Sequence, residues 1–111
     1  MLNLNKAKTQ RMTRDEAIIL LRENMQTIQK YGVKRIGLFG SVVRNEFTSQ
    51  SDVDVVVEFE AGQGRMSNVI DLIDFLEELF GCEVDLLTPG GIKNIRIPYI
   101  RKQIEKELIY A

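Results

Sequence analysis

The chain has 111 residues, 44 % of them hydrophobic and 28 % charged, and a net charge of -1. That balance describes one globular domain with a real apolar core, and it excludes wholesale disorder and a second catalytic lobe. No histidine and a single cysteine, Cys82, exclude histidine acid–base chemistry, an intrachain disulfide and a structural zinc site.

The charge is unevenly spread. Residues 1–50 carry nine basic and four acidic side chains, residues 51–90 one basic and ten acidic, and residues 91–111 five basic and two acidic. An acidic middle between basic ends suits a metal site that meets an anionic, metal-neutralised substrate. No apolar run approaches a membrane span, and the start does not read as a signal peptide, so the cytoplasm is the expected compartment.

Residues 1–12, with Lys6, Lys8 and Arg11, are expected to form a basic flexible arm ahead of a domain over 13–111. Thr13-Arg14-Asp15-Glu16 fits a capping box, with Glu16 three residues past the cap. An amphipathic helix should follow over about 14–30, stopped by Gly32. Val33–Phe39 reads as a strand with Gly37 inside it, which suggests a close backbone approach or a bulge. Gly40-Ser41 ends that strand, a short helical turn is expected over about 42–46, and Thr48–Ser51 is a polar loop.

The next strand is Asp52–Phe59. Alternation puts Asp52, Asp54 and Val56 on one face and Val53, Val55 and Val57 on the other. Valine on both faces points to a covered, central strand. Glu60–Arg65 contains Gly62 and Gly64 and reads as a mobile loop, and Ser67 or Asn68 should cap a helix running to about Leu79. Its core stripe is Val69, Leu72, Ile73, Leu76 and Leu79 or Phe80; Phe75 lies off it and is a candidate interface residue. Gly81 stops the helix, Cys82 reads as a small buried hydrophobe, and Glu83–Leu87 is a third strand. Pro89-Gly90-Gly91 reads as a turn, and Pro98 opens a last helix, 98–109, with Ile100, Ile104 and Leu108 along one side. Helices and strands alternate, so the fold class is α/β.

Asp52 and Asp54 are the unusual pair. Two carboxylates at i and i+2 leave a strand on the same side and repel unless a cation sits between them. Magnesium suits them, being hard, oxygen-seeking and commonly held by one or two carboxylates together with substrate phosphates. Asp85 reaches the same cluster if its strand neighbours Asp52–Phe59; otherwise it is a salt-bridge or edge charge. Three such acids hold two divalent ions ~4 Å apart, able to orient a nucleoside triphosphate and neutralise a leaving pyrophosphate. Gly40-Ser41 can present backbone N–H groups and a hydroxyl to phosphate, although alone it is an ordinary turn. Arg44 either contacts β- or γ-phosphate oxygens or pairs with Glu46 or another acid. Lys34, Arg35 and Arg65 are weaker candidates.

Gly40-Ser41, a ten-residue spacer, Asp52-Val53-Asp54 and the distant Asp85 together resemble the signature of nucleotidyltransferases of the DNA polymerase beta superfamily. Val43-Arg44-Asn45 stands where that family often has Ala-Arg-Gly. In size the chain resembles the minimal nucleotidyltransferases, little more than the catalytic core, over about residues 14–109. The resemblance implies an α+β nucleotidyltransferase fold, a small mixed sheet of three or more strands flanked by helices. It further implies an antitoxin paired with a HEPN-domain ribonuclease toxin, transferring AMP from ATP to a tyrosine hydroxyl of that partner. It assigns Gly40 and Ser41, with Arg44, to the triphosphate, and Asp52, Asp54 and Asp85 to two Mg2+ ions, Asp85 also favouring deprotonation of the acceptor. Two rivals share the fold: an antitoxin that only binds, and a transferase acting on an antibiotic hydroxyl, whose pocket a homo-oligomer would complete. Nucleic-acid binding fits the acidic centre poorly.

Overall fold

The structure, a computed structural model, describes residues 12–111; the expected basic arm, apart from Met12, lies outside them. Met12 itself is buried.

Helix α1 spans Arg14–Glu23 and begins with the expected capping box: Thr13 Oγ1 accepts from the Glu16 N–H at 3.2 Å and Glu16 Oε1 accepts from the Thr13 N–H at 2.9 Å. Thr13→Ala should lower stability by about 1 kcal/mol, read as a shift in the urea midpoint with unchanged slope. The single helix expected over about 14–30 is instead two, because α2 (Met25–Gln29) starts after a break at Asn24. There the Asn24 amide donates to the Leu20 carbonyl at 2.9 Å, a side-chain bond that competes with the helical ladder.

Four strands follow: β1 (Val33–Phe39), β2 (Val53–Phe59), β3 (Val84–Leu87) and β4 (Ile109–Tyr110). Their order across the sheet is β3-β2-β1-β4. β1 runs antiparallel to β2 and β4, whereas β2 and β3 are parallel, so the sheet is mixed. A parallel pair needs a crossover, and α3 (Met66–Phe80) supplies it. Gly81, at φ 72°, ends α3 in the left-handed conformation that suits glycine.

The main core lies on one face of the sheet. Ile36, Leu38, Val53, Val55, Val57 and Val84 meet Ala17, Ile18, Leu21 and Ile28 from α1 and α2, and Leu72, Leu76 and Phe80 from α3. On the opposite face Phe39, Val56 and Ile92 form a smaller cluster with Leu87, Ile104 and Leu108. The valines of β2 are thus covered on both sides, as expected of a central strand.

Several local expectations change. α3 begins one residue before Ser67, and Arg65 is its N-cap without a side-chain bond. Asn68 instead ties the Tyr31 and Gln63 carbonyls, at 3.1 and 3.0 Å. Phe75 is no free interface residue: it packs against the core, with its ring centroid 5.8 Å from that of Tyr31. Pro89-Gly90-Gly91 is not a turn but the start of α4 (Pro89–Lys93), whose N-cap Thr88 accepts from the Gly91 N–H at 3.0 Å. The Thr-Pro pair is a helix-start signal that outweighed the two glycines. The last helix, α5, is Pro98–Glu107, shorter than expected, because the chain turns into β4 and pairs with β1.

Candidate active site

β1 ends at Phe39, and Gly40 turns the chain away at φ 79°. Gly40–Val42 is a single 3-10 turn followed by a turn through Asn45, which replaces the helical turn expected over 42–46. Glycine suits position 40, where any side chain is strained at this φ and a Cβ would also meet the carboxylate of Asp54. Asp54 Oδ2 therefore packs directly against the turn.

Strand register brings the rest together. Phe39 pairs with Asp54 across β1 and β2, and Asp54 pairs with Asp85 across β2 and β3. Asp54 and Asp85 are side by side on the face that carries Phe39, Val56 and Leu87, opposite the main core. Asp52 lies just ahead of β2 and is exposed; Asp54 is partly buried; Asp85 is exposed on an edge strand.

Sharing one face perturbs their protonation. Burial pushes the Asp54 carboxyl up to about 6, the negative charges of Asp85 and Asp52 add to this, and Arg44 opposes it. Asp85 is raised too, first by partial burial and then by Asp52. Among the described residues no three acidic, histidine or cysteine side chains are already drawn together as a metal-holding cluster. The donor set nevertheless fits a hard divalent ion: oxygen ligands alone, with mutual repulsion that positive charge would relieve.

Arg44 is held by two acids. Its Nε donates to Glu46 Oε1 at 2.9 Å and its Nη1 to Glu107 Oε1 at 2.6 Å. The Glu46 pairing was one of the two expected alternatives, and neither acid takes Nη2. Glu107 went unnoticed in the sequence. It belongs to the last turn of α5, yet Oε2 accepts from the Gly40 N–H at 3.1 Å and Oε1 from Gln103 at 3.1 Å. Its position, three residues past Ile104 and seven past Ile100 on the inward side, was the available signal. Ser41, partly exposed, adjoins this network.

The remaining candidates lie elsewhere. Arg35 pairs with Glu58 at 2.6 Å and stacks 3.9 Å from the Tyr110 ring centroid, and Lys34 lies 3.9 Å from Glu58. Arg65 is exposed at the start of α3. Cys82 is partly buried against the main core, and burial pushes its thiol up to about 11, which keeps it protonated.

The family described as "Nucleotidyltransferase domain" matches residues 18–111. A Methanocaldococcus jannaschii protein, provisionally named a protein adenylyltransferase, is 44% identical over 94 residues, covering 83% of this chain and 91% of its own. The protein adenylyltransferase MntA of Thermococcus cleftensis is 36% identical over 93 residues, covering 84% of this chain and 89% of its own. A solved structure provisionally named a minimal nucleotidyltransferase superposes with a TM-score of 0.67 at 28% identity, covering 88% of this chain and 95% of that one. A toxin–antitoxin structure with AMP-PNP shares the fold, with a TM-score of 0.56 at 21% identity over 89% of this chain and 72% of that one.

Proposed function

The chain belongs to the nucleotidyltransferase domain family, and from that premise we propose that it is a minimal protein adenylyltransferase. It transfers AMP from ATP to a tyrosine hydroxyl of a HEPN-type ribonuclease toxin and thereby acts as an antitoxin in the cytoplasm. Residues 13–111 are the transferase unit. The kinship with MntA supports the protein acceptor, and the shared fold with the AMP-PNP toxin–antitoxin structure agrees with it. The observation that carries the reading is the register that sets Asp54 beside Asp85, with Gly40 packed against Asp54.

Asp52, Asp54 and Asp85 would hold the Mg2+ ions, and Gly40, Ser41 and Arg44 the triphosphate. Bound magnesium supplies positive charge to the phosphates and to the departing pyrophosphate. The chain's own contribution is placement: Gly40 turns the chain beside Asp54, Ser41 and Arg44 would meet the phosphates, and the three acids would define where the α-phosphorus lies. The acceptor oxygen bonds to the α-phosphorus as the bond to the oxygen bridging to the β-phosphate breaks, releasing pyrophosphate. Asp85, exposed on its edge strand, is open to the acceptor hydroxyl and can take its proton. A site whose acids Asp52 and Asp85 are exposed suits an acceptor that is itself a protein.

The test combines the chain with a candidate HEPN-type toxin partner, Mg2+ and ATP labelled in the α-phosphate. Label should appear on a toxin tyrosine, and EDTA should prevent it. Full neutralisation of the toxin with no label transferred would overturn the transferase reading and leave an antitoxin that works by binding alone.

A further inference from the structure

Glu107 is an acid in an unexpected place. The turn proposed to receive phosphate already has a carboxylate bonded to it, and that carboxylate comes from the far end of the chain. Its side chain is only 13% exposed, and its oxygens accept from Gly40, Arg44 and Gln103. Burial alone would raise the Glu107 pKa, but these hydrogen bonds outweigh it and leave the carboxyl below its ordinary value. It is therefore ionised throughout the neutral range.

Two roles fit a carboxylate there. It could occupy the phosphate position and be displaced, or it could hold the turn from behind. The bonding favours the second. Glu107 uses the Gly40 N–H and Nη1 of Arg44, and Glu46 uses Nε. Nη2 and the Ser41 side of the turn are not engaged by it. Gly40 is buried, so loss of Glu107 would leave its N–H without an acceptor. Arg44 would keep Glu46 alone and swing toward the exposed side.

Resting on the triphosphate role given above to Gly40, Ser41 and Arg44, we propose that Glu107 is a positioning residue of the nucleotide site. It clamps Gly40 and Arg44 so that the turn meets the β- and γ-phosphates, and it acts through those two residues rather than by touching substrate. α5 and β4 thus serve the site as a brace reaching back from residue 107 to residue 40.

Titration calorimetry on the full chain with Mg2+ tests this, using AMP-PNP and AMP as probes. Glu107→Ala should weaken AMP-PNP about tenfold or more, the loss of a charge-assisted bond, and AMP less than about twofold. Glu107→Gln keeps an acceptor for Gly40 but loses the charge facing Arg44, so it should recover part of the AMP-PNP affinity. Equal losses for the two nucleotides would make Glu107 merely structural and overturn the proposal. Unchanged AMP-PNP binding, or tighter binding as expected of a displaced blocker, would overturn it too. If the unaltered protein fails to bind AMP-PNP, the nucleotidyltransferase reading itself falls, an outcome distinct from a failure of Glu107 alone.

Discussion

Asp54→Asn should lower AMP transfer about 10³-fold and at the same time raise the melting temperature of the metal-free protein at pH 7.5. The two effects have one cause. Asp54 is held partly buried against Gly40 and beside Asp85, and its carboxyl is pushed up to about 6. A carboxyl raised in the folded state is ionised there at a cost. That cost is fully present above the folded value, shrinks as pH falls through it, and vanishes below the ordinary value of 3.8. From this group alone, the metal-free protein gains stability as pH drops from about 7 toward 4, and Asp54→Asn removes that slope. Screening at a half-buried site limits the gain at pH 7.5 to about 1–2 kcal/mol, a rise of several degrees for a domain of this size. Saturating Mg2+ should shrink the difference, since the ion stabilises the wild type and not the variant. Calorimetric melting at pH 4.5 and 7.5, with and without Mg2+, measures all of this. A variant that melts below wild type at pH 7.5 and also transfers AMP would refute the assignment of Asp54.

The acidic centre was readable because its parts obey short-range rules. Asp52 and Asp54 share a face through strand alternation, and the valines between and beyond them declare a covered strand. Asp85 needed one further inference, that its strand neighbours β2, and the parallel register supplies it. Helix breaks and starts were less legible. Asn24, Asn68 and Thr88 each act through a side-chain hydrogen bond to backbone, and polarity alone does not say which way that bond will run.

β4 and Glu107 were missed for a different reason. A two-residue strand has no period to detect, and Leu108-Ile109 passes for the last turn of α5 because Leu108 continues the stripe of Ile100 and Ile104. Glu107 bonds to Gly40 across 67 positions of sequence. Its helical spacing from Ile104 and Ile100 hints only at a side chain turned inward, and does not say which turn it meets. It exists because β4 folds back beside β1, with Leu38 facing Ile109 and the Ala111 N–H bonded to the Ile36 carbonyl at 2.9 Å. The long-range part of the site therefore follows from topology, and topology here turns on one glycine.

That glycine is Gly37, and Gly37→Val should cost about 3 kcal/mol and loosen the nucleotide site as well. Its backbone is in ordinary extended conformation, so the cost is one of space. A Cβ at position 37 would stand 2.7 Å from the Ile109 carbonyl oxygen, 3.0 Å from Tyr110 Cδ1 and 3.1 Å from Leu108 Cδ1. The first of these is backbone and cannot rotate away, so β4 must retreat. Retreat would break the pairing of Gly37 with Tyr110 and lift Arg35 off the Tyr110 ring. It would also draw Glu107 from Gly40 and Arg44, so AMP-PNP affinity should fall more than AMP affinity. Two other glycines separate space from conformation. Gly62→Ala meets nothing within 4 Å but sits at φ 79°, and should cost about 1 kcal/mol. Gly64→Ala meets Phe59 at an ordinary 3.4 Å with no such backbone strain, and should stay within about 0.5 kcal/mol of wild type. Urea midpoints for the three variants give the order. If Gly37→Val matched Gly64→Ala, β4 would not be pressed against β1, and the brace carrying Glu107 to the turn would have no rigid support.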